Sequence, residues 1–520
     1  MGLVDSTRGQ LLLGLLTLAG FFTVMAAGVA LLVWAPLSSP SPAGAPRRAG
    51  RRGDLVSPAR LWGYLRGLRP PTPVIRWLGR VARRPAKLMV LGFAGAIAMG
   101  WGLLMVPAAT SAGREAGGVT ALFTATSAVC VTGLTIEDTS TYWSGFGDAV
   151  IVGLIQIGGF GIMTFASLLG LLVARRLRMR LQLSAQAETR TMGVGEVRRV
   201  VLGVLRISVL VEALVAMLLT WRFADGYGEP WSRAAYLGLV HSVSAFNNAG
   251  FGWYPNNLMR FVGDPLICLP ISAAVIIGGL GFPVLFELRR TLHKPRKWSL
   301  HTKITIGMTV ILLSLGWVLI TWAEWTNPAT LGGLGFKEKL LAGFTTAVMP
   351  RTAGFNSVDL SQIHDTTMLI NIILMFIGGG SASTAGGIKV TTFALLGFVI
   401  LAEIRGEPSV HALGRRLPAA IQRQALTIAL LSVGMVMAAT LALLALTPFA
   451  GKDVLFEVTS AFATVGMTTG ITAKVGTAGH LLLIALMFIG RLGPITAAAA
   501  LAMRERTRRY ELPEERTIVG

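Results

Sequence analysis

The sequence SAFATVGM, at residues 460–467, ends a short apolar segment and is followed by a longer one. Related sequences occur three times before it: SAVCVTGL at 127–134, SAFNNAGF at 244–251 and TAVMPRTAGF at 346–355. In three of the four, a serine precedes the glycine by the same interval, and a second glycine cluster follows each of the four at a similar distance. Chance does not readily give four such registers, so the sequence predicts a fourfold internal repeat.

The composition predicts that these repeats lie in a membrane. Hydrophobic residues make up 53% of the 520 residues and charged residues only 14%, whereas soluble domains contain about 25% charged residues. Several apolar runs reach the length of about 18 residues that is needed to cross the hydrocarbon of a bilayer. These features exclude a soluble or disordered chain and predict an all-α polytopic membrane protein.

Each repeat has the same order of segments: a long apolar run, a short apolar run, a glycine-containing turn and a second long run. We divide the repeats at residues 88–190, 191–300, 301–412 and 413–520. A helix of about ten residues is too short to span the bilayer, so the short runs are predicted to be re-entrant. Irregular backbone at that depth must be enclosed by protein or face water. We therefore expect four pseudo-symmetric units of helix, re-entrant helix and helix (M1-P-M2) around one central pore.

Residues 1–87 precede the repeats and form an N-terminal extension. An apolar run at 11–34 is followed by a Pro/Ser/Ala stretch and then by a basic linker. In a secretory signal peptide the positive charge comes before the apolar core, but here it comes after, which predicts an uncleaved transmembrane helix. A cleaved or interfacial segment remains an alternative.

Basic residues exceed acidic residues, with 47 Lys and Arg against 25 Asp and Glu and a formal net charge of +22. They cluster between the units, where the positive-inside rule predicts cytoplasmic loops and, by the same topology, a cytoplasmic C-terminus. The charge is therefore explained by topology, and no nucleic-acid partner is predicted. The opposite loops are mixed or acidic, as at Glu137 and Asp138, and predict an external vestibule that concentrates cations.

The four glycine turns indicate ion conduction. Glycine accommodates backbone dihedrals that a Cβ atom would obstruct, so successive carbonyl groups can point at one axis. Rings of carbonyl oxygens replace the hydration shell of a monovalent cation, and the absence of a charged ring argues against a divalent or anion site. The later glycine clusters, which include Gly158 and Gly278, are interpreted instead as packing or bending positions of the second long helix.

These residues resemble the bacterial KtrB and TrkH potassium-uptake proteins of the Trk/Ktr/HKT superfamily, and KtrB more closely. That family repeats a potassium-channel-like unit four times in one chain, and VTGL, NAGF, TAGF and TVGMT match its four selectivity-filter sequences. Only the fourth keeps the Thr-Val-Gly order of potassium channels, which predicts looser discrimination between potassium and sodium. The resemblance implies potassium uptake through a filter formed by Val131, Thr132, Gly133, Asn248, Ala249, Gly250, Thr352, Ala353, Gly354, Thr464, Val465 and Gly466.

The third unit contains a second distinctive sequence. Its last apolar stretch is interrupted by GGGSASTAGGIK at 378–389, which would unwind a helix in the middle of the membrane. A phosphate-binding loop is the competing interpretation, but the Walker spacing is absent. The resemblance implies a mobile intramembrane gate below the filter, formed by Gly378, Gly379, Gly380, Ser381, Ser383, Thr384, Gly386 and Gly387 together with Arg491.

Arg491 lies inside the last apolar span, where an unpaired charge is costly. The resemblance implies that it faces the conduction path, raises an electrostatic barrier and bonds the glycine-rich loop. The alternative is an arginine that stabilises the fold by binding backbone carbonyls.

The resemblance also implies a location and partners. We expect a homodimer in the plasma (inner) membrane, seated on a cytosolic ring of KtrA- or TrkA-like subunits that bind nucleotides. No cofactor is expected in this chain. K⁺ is the expected transported ion, and Na⁺ is a second candidate.

Two other classes of protein are less well supported. A sodium- or proton-coupled secondary transporter usually carries a buried carboxylate, and Glu212 is the only clear candidate; we interpret it as a helix–helix contact. A membrane enzyme needs a convergent catalytic or metal cluster, but the six histidines are dispersed along the chain. We therefore expect a transporter and not an enzyme.

Overall fold

The computed structural model describes residues 85–182 and 194–503. The predicted N-terminal helix at 11–34 and the basic linker that follows it lie outside the described residues, as does the chain after residue 503.

Helices dominate the described part of the chain. Its α-helices are α1 Pro85–Leu104, α2 Gly118–Cys130, α3 Thr139–Tyr142, α4 Gly145–Gln182, α5 Val194–Tyr227, α6 Trp231–Phe246, α7 Pro265–Leu280, α8 Phe282–Thr291, α9 Leu300–Glu324, α10 Phe336–Val348, α11 Asp365–Phe376, α12 Val390–Ile404, α13 Ala419–Leu446, α14 Gly451–Ala463 and α15 Gly476–Met503. Short 3₁₀ turns occur at Pro107–Ala109, Met259–Phe261, Pro295–Lys297 and Thr472–Lys474. One antiparallel hairpin pairs β1 His411–Ala412 with β2 Arg415–Arg416.

Five of the described helices are long and apolar enough to cross a membrane: α4 (through Gly145–Ser167), α5 (through Val200–Tyr227), α9, α13 and α15 (through Gly476–Gly493). The bent pair α7 and α8 would make a sixth span. An α-helix forms its backbone hydrogen bonds within itself, as it must in lipid, because lipid offers no hydrogen-bond partners. The prediction of an all-α polytopic membrane protein is thereby confirmed.

The short helices α2, α6, α10 and α14 hold the molecule together. Each packs against the long helix that precedes it, and each also packs on the second apolar helix of the unit before it: α6 on α4, α10 on α7, α14 on α11, and α2 on α15. The last of these contacts closes the circle between the first and fourth units. The C-terminal halves of the short helices are consequently buried.

Two apolar stretches are broken rather than continuous. The third-unit break separates α11 from α12 at the glycine-rich sequence, as expected. The second-unit stretch at 266–288 also bends, by 99° between α7 and α8. The bend occurs at Gly281, whose φ of +92° and ψ of 148° suit glycine and exclude most side chains. Pro283 then lies in the first turn of the new helix, where its missing N–H is not needed.

Candidate functional site

The chain leaves each short helix with the same alternation of backbone handedness. The first residue of each turn is left-handed, and the glycine two residues later also has a positive φ. The φ values are +55° and +94° for Val131 and Gly133, +59° and +71° for Asn248 and Gly250, +68° and +70° for Thr352 and Gly354, and +51° and +95° for Thr464 and Gly466. Alternating handedness rotates successive peptide groups so that their carbonyls turn to the same side of the chain. Glycine provides the second left-handed position without steric cost.

The four turns meet in a closed ring. A Cβ atom on Gly133 would overlap the carbonyl oxygen of Ala249, and one on Gly250 would crowd the carbonyl oxygen of Ala353. The same relation continues around the ring: Gly354 abuts the carbonyl of Val465, and Gly466 abuts the carbonyl of Thr132. Each glycine therefore lies against the next turn. A side chain at any of the four would push the ring apart.

The serine that recurs before the turns forms hydrogen bonds with the turn backbone. Ser127 Oγ accepts a hydrogen bond from the Gly133 amide at 3.0 Å, and Ser460 Oγ accepts one from the Gly466 amide at 3.1 Å. In the second turn Ser244 Oγ instead donates to the Phe251 carbonyl oxygen at 2.8 Å. The third turn has no such serine. The spacing seen in the sequence thus corresponds to a hydrogen bond that holds the turn.

The later glycine clusters are packing positions. A side chain on one of them would overlap the carbonyl oxygen of the residue at the end of a short helix, in the pairs Gly158 with Val129, Gly278 with Phe246, and Gly490 with Phe462. The second long helices therefore touch the backbone of the short helices directly. This close approach positions the start of the first, second and fourth turns.

An open cavity of about 310 Å³ lies on one side of the ring. Its lining includes all four glycines, together with Asp138 and polar residues that follow the turns. Among these, Asn257 Nδ2 donates to the Gly250 carbonyl oxygen at 3.2 Å. The cavity gives small solutes a polar approach to the ring.

The glycine-rich loop at 378–389 packs against the residues that precede the ring glycines. Its two ends are joined, because the Gly378 amide donates to the Ile388 carbonyl at 2.8 Å and the Ile388 amide donates to the Phe376 carbonyl at 3.2 Å. Its middle is fixed to α7 by a hydrogen bond from the Gly380 amide to the Gly279 carbonyl at 2.8 Å. A side chain on Gly386 would overlap Thr464 Oγ1. The loop and the cavity therefore contact opposite ends of the turns.

Within the loop, polar side chains satisfy loop carbonyls. Ser383 Oγ donates to the Gly380 carbonyl at 2.7 Å, and Ser381 Oγ shares a hydrogen bond of 3.0 Å with Thr391 Oγ1 at the start of α12. Gly379 lies against the Gly279 carbonyl, and Gly387 has a φ of +61°.

Two basic residues bind this loop. Arg491, only 2% exposed, donates through Nη1 to the Thr384 carbonyl oxygen. Lys389 Nζ donates to the carbonyl oxygens of Ala385 and Gly386. The Nε and Nη2 atoms of Arg491 are buried without a hydrogen-bond partner among the described residues. Both basic side chains thus donate hydrogen bonds to backbone oxygens of the loop and not to carboxylates.

Comparison with known proteins identifies the family. The family model described as TrkH, cation transport protein, matches residues 97–509. The chain belongs to the TrkH family. The TrkH family is a family of cation transporters and not of enzymes, as the sequence predicted.

Individual TrkH-family relatives agree with this assignment. The Ktr system potassium uptake protein B of Bacillus subtilis is 39% identical over 434 residues, which cover 84% of this chain and 96% of that protein. The potassium/sodium uptake protein NtpJ of Enterococcus hirae is 33% identical over 85% of this chain and 99% of its own length. The crystal structure of the potassium transporter TrkH from Vibrio parahaemolyticus matches with a TM-score of 0.64 at 16% identity, covering 94% of this chain and 96% of that one. The structural match shows that the fold is shared.

A buried polar network in this TrkH-family chain was not predicted from the sequence. Glu212 on α5 accepts hydrogen bonds from Gln156 Nε2 on α4 at 3.2 Å and from Asn247 Nδ2 at 3.2 Å, and Asn247 Nδ2 also approaches Gln156 Oε1 at 2.7 Å. Glu212 is therefore a helix–helix contact, as interpreted above. Its partner Asn247 immediately precedes the second turn, so the network also fixes that turn to two long helices.

Hydrogen bonds of two further charged residues beside the turns were also not predicted from the sequence. Arg351, which precedes the third turn, is buried and donates through Nη1 to the Thr309 carbonyl oxygen on α9 at 3.1 Å. Glu457 on α14 accepts hydrogen bonds from the hydroxyls of Thr468 and Thr472, which follow the fourth turn. The only available sequence signal was an isolated charge inside an apolar segment.

Proposed function

We propose that this chain carries potassium ions across the membrane, in the direction of uptake, through a filter formed by the four turns. The observation that carries the proposal is the closed ring in which Gly133, Gly250, Gly354 and Gly466 each abut the next turn. The names of the relatives, one a potassium uptake protein and one a potassium/sodium uptake protein, agree with it. Sodium is therefore a second candidate ion for the same path.

The ligands would be main-chain oxygens. Carbonyl groups that point at one axis replace the hydration shell of a monovalent cation. Further oxygens are present at the end of the ring nearer the loop, since the hydroxyls of Thr352 and Thr464 are buried without a hydrogen-bond partner among the described residues. In our proposal the filter residues are the three consecutive residues of each turn, and each of the four M1-P-M2 units contributes one turn.

The loop at 378–389 would act as the gate. It lies against the inner end of the turns and carries the charges of Arg491 and Lys389, both bound to its own carbonyls. A fixed positive charge on the path of a dehydrated cation raises the barrier to conduction. Conduction in this proposal requires the loop and its arginine contact to move aside.

We favour channel-like conduction over coupling to sodium or protons. The coupling candidate that the sequence offered is the carboxylate of Glu212, and both of its oxygens accept hydrogen bonds from Gln156. A coupling group must exchange its ion with water during each cycle. A carboxylate that ties together three helices suits a structural role better.

The proposed setting is the plasma membrane with the C-terminus in the cytoplasm. We propose a homodimer that binds a cytosolic nucleotide-binding ring, because the relative in Bacillus subtilis is named as part of a Ktr system. Basic residues between the apolar segments agree with a cytoplasmic face: Arg289 and Arg290 lie in the last turn of α8, and Arg415 and Arg416 form β2.

Growth and flux measurements test the proposal. The chain is expressed in a bacterium that lacks potassium uptake, and rubidium and sodium uptake are measured for the wild type, Gly354→Ser and Gly434→Ser. Gly434 is the control because nothing lies within 4 Å of a Cβ atom built on it. We expect Gly354→Ser to lower the ratio of rubidium to sodium uptake and Gly434→Ser to leave it unchanged. An unchanged ratio in Gly354→Ser would reject the filter.

A further inference from the structure

Two asparagines lie where α6 passes into the second turn, and their side chains extend to different parts of the molecule. Asn247 joins the network with Gln156 and Glu212 described above. Asn248 contacts the glycine-rich loop and the third turn instead. Both asparagines are fully buried, so these hydrogen bonds do not compete with solvent.

Asn248 uses both ends of its amide. Its Oδ1 accepts a hydrogen bond from Thr384 Oγ1 of the loop at 3.0 Å, and its Nδ2 approaches the Arg351 carbonyl oxygen at 3.4 Å. Arg351 directly precedes Thr352, the left-handed residue of the third turn. The side chain of Asn248 therefore connects the loop with two turns of the ring.

The residue type suits this position. Asn248 has a φ of +59°, and asparagine is among the few non-glycine residues that adopt this conformation readily. The corresponding residues of the other turns are Val131, Thr352 and Thr464. None of these carries both a strong acceptor and an N–H donor on its side chain. The second turn is therefore the one equipped to bind in two directions.

On the loop side, Thr384 makes two contacts through two separate groups. Its carbonyl oxygen accepts from Arg491, whereas its hydroxyl donates to Asn248. Because the two groups are separate, Arg491 can leave the carbonyl while the hydroxyl stays bound to Asn248. Loss of the hydroxyl contact changes the support of the second turn. Since Asn247 remains bound to α4 and α5, the end of α6 stays in place and the change falls on Asn248 and the turn.

We propose that Asn248 and Thr384 couple the loop to the filter: the Thr384 hydroxyl holds the second and third turns in their selective shape, and the turns in return favour the loop position that blocks conduction. The inference rests on the proposed function of the ring and the loop. Coupling of this kind is reciprocal. Ion occupancy of the filter would favour the closed loop, and loss of the contact between Asn248 and Thr384 would weaken discrimination between potassium and sodium. Asn248 and Thr384 are then positioning residues for selectivity, beyond their membership of the filter and gate sequences.

The test removes one hydroxyl and keeps the backbone contact. Full-length wild type, Thr384→Val and Thr384→Ser are reconstituted in lipid vesicles, and rubidium and sodium uptake are measured. Thr384→Val preserves the shape and the carbonyl that binds Arg491, and Thr384→Ser retains the hydroxyl. For Thr384→Val we expect faster uptake and a rubidium-to-sodium ratio lowered about three- to tenfold, the scale of one lost neutral hydrogen bond. For Thr384→Ser we expect a ratio within about twofold of the wild type.

A double-mutant cycle distinguishes coupling from separate effects. Asn248→Gly keeps the left-handed backbone and removes the amide, and it should lower the ratio as Thr384→Val does. In the Asn248→Gly background, Thr384→Val should change the ratio by less than about twofold. If the double variant lowers the uptake ratio by the product of the two single fold-changes, the two residues act independently and the proposal is overturned. If Thr384→Val does not assemble, a wild-type ratio in Asn248→Gly would overturn it equally.

Gly354→Ser in the same vesicles separates this inference from the proposed function. If Gly354→Ser leaves the uptake ratio unchanged, the filter itself is refuted, and the coupling with it. If Gly354→Ser lowers the ratio while Thr384→Val alters only the rate of uptake, the filter stands and the coupling is refuted.

Discussion

At the scale of single residues, the ring depends on backbone conformations that few residues adopt. Val131 and Thr464 are β-branched and yet left-handed, a conformation that is costly for such side chains. The surrounding hydrogen bonds must therefore hold them there. Ser127 and Ser460, which receive the amides of Gly133 and Gly466, provide part of that constraint.

These two serines give a prediction about stability. Replacing Ser127 or Ser460 by alanine leaves a buried glycine N–H without its partner, at a cost of about 1–3 kcal/mol. We expect each variant to unfold at a lower temperature in detergent and to show a lower rubidium-to-sodium uptake ratio. Ser361→Ala, at an exposed serine, is the control and should match the wild type. Wild-type melting and selectivity in both buried variants would show that the serines do not hold the turns.

Arg491 gives a second prediction at this scale. Removing its guanidinium in Arg491→Ala eliminates both the contact with the Thr384 carbonyl and a positive charge beside the loop. We expect rubidium uptake to rise severalfold, with a smaller rise for Arg491→Lys, which retains the charge. Arg405→Ala changes an exposed arginine at the end of α12 and serves as the control. Equal uptake by wild type and Arg491→Ala would contradict a role in gating.

At the scale of the elements, the two broken helices form one structure. The bend at Gly281 lies against the Ser381 carbonyl, and the Phe282 amide donates to the Ala382 carbonyl at 3.2 Å. The loop of the third unit is thus supported by the bend of the second. The two breaks support each other, because each provides hydrogen-bond partners for backbone groups of the other.

Gly281→Ala tests this dependence. A side chain at this φ and ψ costs about 1–3 kcal/mol and would also overlap the Ser381 carbonyl. We expect Gly281→Ala to change rubidium uptake at least severalfold by displacing the loop. Gly307→Ala lies on the span α9, where a Cβ atom would meet nothing within 4 Å. We expect this control to leave rubidium uptake unchanged. Wild-type uptake in Gly281→Ala would show that the bend does not support the loop.

The sequence predicted some of these elements and not others, for physical reasons. The break at 378–389 was visible because ten of its twelve residues are glycine, alanine, serine or threonine. The bend at Gly281 was predicted only as one of two alternatives, packing or bending, for the glycine cluster at 278–281, because glycines in an apolar stretch suit both. Networks such as Gln156 with Asn247 join residues that are distant in sequence and whose pairing is set only by packing. Repeat spacing predicts turns, but it does not predict which side chains will meet.

At the scale of the whole molecule, the fourfold arrangement is closed by the contact of α15 with α2. The same closure is seen in the ring, where Gly466 abuts Thr132 and Gly133. Because the circle is closed among the described residues, each turn lies between two others. A substitution in one turn should therefore also shift the backbone of the neighbouring turn in the ring.

The most direct measurement is the location of the ion. A structure of the protein determined with rubidium in place of potassium, using anomalous scattering, would reveal the bound cation independently of any transport assay. Our account predicts rubidium density on the axis of the ring, surrounded by carbonyl oxygens from all four turns, and its loss in Gly354→Ser. Density located elsewhere, with an empty ring in the wild type, would contradict it.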